Sequence, residues 1–380
     1  MNDACRFVRS MGLGWNLGNT FDAFSLHNEA TQARETGASW RPEDQQRLWG
    51  NQPFTARQAR RVADAGFGTI RIPVTWAEWM SPDGDVDPVW MQSVMDAVEA
   101  SLAVGLKVIL NVHHDGGEGD VPWIRTISQH EEMVLHRYQR LWEQIGARCV
   151  DYDERLVLEG ANELDFHDVA MDDAYGLLGR INQTFVDTVR AAGGQNGTRF
   201  LLIPGYNTDT TKTCVPGYVL PQDSVDHRLL LSVHYYSPAE FSVAEHDSPW
   251  CKPSLTWGSE VEVAAMHADF ERLRTTYVER GVPVVIGEYG VLTQPVDHKD
   301  HKSNVYWLTM VVKNALDIGA CPVLWDTSTK EMRFLDRESG SFYDPEVERV
   351  YRDAASRLSN DERFAQYETD AVVHVAKNLI

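Results

Sequence analysis

Two apolar runs in this sequence stop on a carboxylate: RLVLEGANE closes on Glu163 and VPVVIGE on Glu288. An Asp/Glu pair facing across a cleft suits cleavage of a glycosidic bond. One group protonates the leaving oxygen, and the other attacks the oxocarbenium-like carbon or activates water against it. Comparable runs end on residues that fit this chemistry. Arg71 and a tyrosine hydroxyl can hold a carboxylate ionised. His234 and Tyr236, two apart on one strand, share a face. Asn162 offers an amide to a sugar hydroxyl, and Trp325 an indole that stacks on the C–H face of a ring. Asn16, Asn19, His113, His114 and Asn207 stand at further run ends. Singly, each has an ordinary reading as a turn residue, a helix cap or a partner of Arg71. Together they converge on one mouth.

A scaffold must bring these ends together. Short β-branched strands are predicted at 12–19, 69–75, 107–113, 155–163, 199–206, 228–236, 282–288 and 320–326. Amphipathic helices are predicted around 55–65, 88–104, 131–147, 173–192, 260–279, 303–318 and 345–358. Eight strands with helical crossovers predict one (β/α)₈ TIM barrel with extended βα loops, its fifth crossover (208–224) mostly loop. An open doubly wound sheet is the alternative, but no glycine-rich turn follows the first strand. In such a barrel the site forms at the C-terminal strand ends, where the polar residues fall. Asn162 and Glu163 are adjacent, however, and a regular strand would point them to opposite faces. A bulge or twist at the strand end is therefore expected.

The chain has 380 residues, 43% of them apolar and 24% charged, with no linker or repeat, so a single catalytic domain is expected: a barrel over about 12–358 and a tail at 359–380. A formal net charge of −21 disfavours nucleic acid, anionic membranes and polyanionic substrates and suits a neutral one. Five scattered cysteines without a C-x-x-C pair allow at most two disulfides. No signal peptide or transmembrane run is present, so the protein either stays in the cytoplasm or is exported by a signal outside this chain. A monomer is expected.

The motifs GWNLGNTFDA, WGNQPFT, GFGTIRIPVTW, VILNVHHD, GANE, SVHYYSP, VVIGEYG and VLWD occur in the order found in glycoside hydrolase family 5. The chain resembles that family from about residue 12 to 355, and within it the bacterial endo-β-1,4-glucanases and xyloglucanases of subfamily 4. The resemblance implies a retaining, cofactor-free and metal-free enzyme extracellular in action, with Glu163 as acid/base and Glu288 as nucleophile. It also implies supporting roles for Arg71, His113, Asn162, His234 and Tyr236, and substrate contacts from Asn19, His114 and Trp325. The substrates implied are β-glucans such as cellulose derivatives, mixed-linkage glucan or xyloglucan, with mannan as the alternative. Family members carry a cis peptide after the tryptophan matched by Trp325, so a cis Trp325–Asp326 bond is expected. Three positions depart from the pattern: Leu164 stands in place of Pro, Tyr289 of Phe, and Thr327-Ser328 of Asn-Gly.

Loops 21–53 and 237–260 carry Trp40, Trp49, Trp250 and Trp257, which predict sugar platforms along an open groove and internal cleavage. A retaining mechanism predicts carboxyl groups about 5–5.5 Å apart. The two tasks predict a raised pKa for Glu163 and an ionised Glu288 held by Arg71 and Tyr236. Two rival readings remain: a metal-dependent barrel hydrolase using His113, His114, Asp115, His234 and Glu288, and a non-catalytic carbohydrate-binding barrel.

Overall fold

The computed structural model describes residues 2–25, 40–116, 122–249, 251–293, 299–329 and 331–359. Eight parallel strands close into a barrel in sequence order. They are β1 (Gly14–Asn16), β2 (Thr69–Ile72), β3 (Lys107–Asn111), β4 (Leu156–Glu159), β5 (Leu201–Asp209), β6 (Leu229–Tyr235), β7 (Val284–Tyr289) and β8 (Cys321–Leu324). Closure by pairing of β1 with both β2 and β8 sets the open-sheet alternative aside. The predicted helices form the outer ring, for example α4 (Pro88–Ala103), α5 (Ile127–Cys149), α6 (Met171–Ala191), α9 (Glu260–Thr276), α10 (His301–Asp317) and α11 (Pro345–Ser359). Between β5 and β6 the only helix among the described residues is the single turn α7 (Thr210–Thr213), as the loop-like crossover predicts.

Side-chain direction alternates along each strand and sorts the residues. Val108 and Leu110 of β3, Leu156 and Leu158 of β4, and Leu231 and Val233 of β6 face the helices in the main core. Ile109, Val157, Leu202, Leu230, Val285, Cys321 and Val323 form a separate cluster inside the barrel. That inner cluster is closed from below by α1 (Asp3–Met11), through Ala4, Phe7, Val8 and Met11. Asn2 caps α1, its Oδ1 accepting the Cys5 N–H.

One inward step further toward the C-terminal ends, the lining turns polar. Asn16, Arg71, Asn111, Glu159, Ser232 and His234 are all buried there. The barrel interior is thus an apolar floor beneath a charged ceiling. Several strands are shorter than predicted, so His113, Asn162, Glu163 and Trp325 lie just beyond the ladder, in the loops that follow β3, β4 and β8.

All five cysteines are free. Among the described residues no helix is long and apolar enough to cross a membrane.

Candidate active site

Arg71, the third residue of β2, is the hub of the mouth. Its guanidinium is fully buried and every nitrogen donates. Nε meets Glu159 Oε2 at 2.6 Å, Nη1 meets Glu288 Oε1 at 2.7 Å and Asn16 Oδ1 at 2.9 Å, and Nη2 meets Asn162 Oδ1 at 2.8 Å. Asn16 in turn donates to the carbonyl of Gly287, the residue before Glu288, at 2.9 Å. The other oxygen of Glu288 accepts from the Tyr236 hydroxyl at 3.0 Å. Glu288 is therefore fixed from two sides and nearly buried, with 6% of its side chain exposed, whereas Glu163 keeps 38%.

His234 lies between the two carboxylates. Its Nδ1 is 2.7 Å from Glu163 Oε1 and 3.6 Å from Glu288 Oε2. An oxygen of Glu163 and an oxygen of Glu288 approach within 4.8 Å of each other. Asn111 Nδ2 sits 3.1 Å from His113 Nδ1. As the amide donates there, the ring's own proton lies on Nε2, which faces Glu288 Oε1 at 3.9 Å. Burial, the neighbouring His114, Arg71 and His234 hold His113 well below the usual histidine range, so it is neutral. Burial, above all, brings His114 down to about 4.

The expected splitting of the two carboxylates is reversed. Burial raises Glu163, but the bond and charge of His234, with Arg71, outweigh it and leave the group below its usual value. Burial raises Glu288, and the pull of His234 and Arg71 does not fully cancel it. Burial works against an imidazolium at His234, yet the charges of Glu288 and Glu163 and the bond to Glu163 raise it. The reason is placement: Tyr236 faces Glu288 as expected, but its strand neighbour His234 bonds Glu163.

The adjacency of Asn162 and Glu163 is resolved without a bulge in the β4 ladder, which ends at Glu159. Glu163 adopts a left-handed backbone with φ 38°, and this turns its side chain back into the mouth beside Asn162. Leu164, in the place of the family's proline, is fully buried. It packs so closely on Gly116 that a Cβ there would stand 2.1 Å from Leu164 Cδ2. Gly116→Ala is expected to destabilise by about 1–3 kcal/mol through overpacking, read as a lowered urea midpoint at unchanged m-value.

Trp325 reaches the mouth by a route other than the one expected. Its bond to Asp326 is trans, and the cis bond among the described residues is Ser237–Pro238. Asp326 is drawn inward instead, accepting from the Trp15 indole at 2.8 Å and the Leu335 N–H at 2.8 Å. The Trp325 ring lies parallel to His113, with centroids 5.6 Å apart. The Trp325 loop is tied to the loop after β1 by two buried side chains. Arg337 donates to Gly18 O and Thr20 Oγ1 at 2.6 Å each and to Ser328 Oγ at 2.7 Å. Asn51 donates to Asn19 O at 2.8 Å and Thr327 O at 3.0 Å. Asn19 itself has φ 56° and offers its amide to Thr329 Oγ1 at 3.5 Å.

The loop tryptophans divide. Trp257 is 5% exposed and packs between Phe241 and Tyr306, so it belongs to the core and offers no platform. Trp40 is half-buried against the core, its indole bonded to Gln45. Trp250 lies outside the described residues. Trp49 does reach the mouth, in edge-to-face contact with Phe24 and His114. The ring contacts run on from His114 to His113 and Trp325.

The metal set drawn from the sequence does not come together. Asp115 is engaged by the Trp76 N–H at 2.8 Å and the Trp123 indole at 2.7 Å. His113 and His114 sit with Asp22, whereas His234 sits with Glu163 and Glu288, each trio having ligand atoms within 4.8 Å. Asp22 already accepts the N–H groups of Asn19 and Thr20.

Sequence reasoning passed over Glu159, Asn111 and Ser232, and with them half of the polar ceiling. It also missed Phe24.

A barrel whose C-terminal mouth holds two carboxylates on either side of one histidine, one of them clamped by an arginine and a tyrosine, has the constitution of a glycoside hydrolase. Residues 26–331 match the family model described as Cellulase (glycosyl hydrolase family 5), and the chain belongs to that family. It is 31% identical to Endoglucanase A of Paenibacillus barcinonensis over 349 residues, 85% of this chain and 82% of that one. Among solved structures it is similar to a broad-specificity endoglucanase of subfamily 4 from an uncultured bovine rumen ciliate (TM-score 0.84, 36% identity, 94% of this chain and 99% of that one). It is also similar to a Bacteroides ovatus xyloglucanase in complex with a heptasaccharide (TM-score 0.80, 28% identity, 94% of this chain and 78% of that one).

Proposed function

We propose that the chain is a retaining endo-β-1,4-glucanase acting on soluble β-glucans, with Glu288 as nucleophile and Glu163 as acid/base. The observation that carries this reading is the approach of the two carboxylates to within 4.8 Å. Inverting pairs stand roughly 6.5–9.5 Å apart to admit a water, and so close an approach of one oxygen to the other favours the retaining geometry. Glu288, oriented by Arg71 and Tyr236, attacks the anomeric carbon and forms a glycosyl ester. Glu163, the more exposed of the two, delivers a proton to the departing oxygen. The proton is supplied by the hydrogen-bonded Glu163–His234 pair, whose 2.7 Å contact lets it pass from imidazolium to carboxylate as the sugar oxygen approaches. Glu163 then takes a proton from the water that hydrolyses the ester.

Asn162, held by Arg71, and neutral His113 present polar groups to the sugar at the central subsite. Trp325, His113, His114, Phe24 and Trp49 form a strip of rings leading away from it, which suits a chain of several sugars. Relatives point the same way: one is an endoglucanase, another a xyloglucanase.

The test combines viscosity and proton NMR on cellulose derivatives, mixed-linkage glucan, xyloglucan and mannan. A fast fall in viscosity with mixed oligosaccharides and a β-configured first product is expected on the glucans. An α-configured first product overturns retention, monosaccharide alone from the start overturns internal cleavage, and preference for mannan overturns the substrate. Activity is expected to be unchanged in EDTA, whereas a metal-dependent hydrolase loses it.

A further inference from the structure

Glu159 takes no part in the chemistry proposed above, yet it is a fully buried charge of the mouth. It is the last residue of β4, fully buried, in register with Asn111 of β3 and Leu202 of β5. Its Oε2 accepts from Arg71 Nε at 2.6 Å and its Oε1 from Ser232 Oγ at 2.7 Å. One guanidinium is thereby shared by two buried carboxylates, Glu159 on its Nε edge and Glu288 on Nη1. Burying a second carboxylate carries a desolvation cost, and an amide could keep the Arg71 bond on its oxygen while its NH2 donates to a turned Ser232 hydroxyl. The charge itself therefore calls for a reason.

We propose that Glu159 is a positioning residue for the displacement reaction, balancing the charge of Arg71 and clamping its Nε edge so that Arg71 aims Glu288 without quenching its basicity. The inference rests on Glu288 being the nucleophile. A carboxylate facing an uncompensated guanidinium is acidified, and a less basic carboxylate is a poorer nucleophile. With Glu159 in place, Arg71 acts on Glu288 mainly as an oriented pair of donors. Consistent with this, Glu288 keeps a pKa above the ordinary carboxylate value despite a direct ion pair. Glu159 is itself shielded from substrate by full burial, so its influence passes through Arg71 alone.

Glu159→Gln keeps the shape and the Arg71 bond through its oxygen, meets Ser232 by donating to its hydroxyl, and removes the charge. The acidic limb of kcat/KM on an aryl cellobioside is expected to move about one pH unit lower. The burst that reports formation of the glycosyl enzyme is expected to slow several-fold at unchanged substrate Kd. Glu159→Asp keeps the charge but draws it back by one methylene, so its limb should fall between the two; it answers the question alone if the glutamine variant does not fold. A merely structural Glu159 would lower kcat and thermal stability and leave the limb where it is, which overturns the proposal. Glu288→Ala with azide is run alongside. If azide restores turnover, an unmoved limb removes only the role of Glu159; if it does not, the nucleophile assignment fails and this inference with it.

Discussion

Glu288→Ala is expected to lower kcat on a natural β-glucan on the order of 10⁵-fold, because no group remains that can form the glycosyl ester. Glu288 is clamped by Arg71 and Tyr236, so its removal leaves a cavity whose remaining lining favours an anion. Azide fits there. With an activated aryl β-glucoside oligomer, azide attacks the sugar directly from the emptied side and the product is the α-glycosyl azide. Glu163→Ala behaves differently: its nucleophile is intact, the activated leaving group needs no acid, and azide intercepts the ester to give the β-azide. Exchanged products would reverse the assignment, and undiminished activity of both variants on a natural substrate would place the site elsewhere.

Arg71→Met is expected to abolish detectable turnover and to cost about 3–5 kcal/mol of stability, since it strands buried carboxylates without their cation. The loss should be largest where Glu288 is ionised and shrink as the pH falls and Glu288, already raised above the ordinary carboxylate value, takes up a proton. A second change, Glu159→Leu, removes one stranded charge and should return part of the stability without returning activity. Urea unfolding at neutral and acidic pH measures both. If Arg71→Met were as stable as the parent, the ion pairs at 2.6 and 2.7 Å would be energetically idle.

Much of this architecture is legible from period alone. Each predicted strand and helix exists, because β-branched runs and three-to-four spacing are local signals that burial then reinforces. Strand ends are less legible, and the site depends on them. RLVLEGANE reads as one strand to Glu163, but the ladder stops at Glu159. Extending it hid the parity that sends Glu159, two residues after inward Val157, into the barrel beside Arg71. The same parity applied to Arg71 and Ser232 would have found the whole ceiling. The left-handed turn at Glu163 has no residue-type signature, since neither glycine nor asparagine occupies the position. Trp257 illustrates the opposite limit: a tryptophan in a long loop is indistinguishable by composition from one in a groove, and only packing against Phe241 and Tyr306 places it in the core.

The crosslinks made by Asn51 and Arg337 bear on how such an enzyme can be re-engineered. Asn51 bonds backbone carbonyls of both the β1 and β8 loops, and Arg337 bonds carbonyl and hydroxyl groups of both, so the shape of each loop leans on the other. Segments 17–23, 50–52, 325–329 and 331–337 are in effect one transplantable cassette bordering the mouth. The charged ceiling beneath them is anchored separately, on strands. A graft that moves the cassette whole can alter which polysaccharide is gripped while the bond-breaking layer stays untouched; a graft that moves the Trp325 loop alone leaves Asn51 and Arg337 reaching for partners that are no longer there.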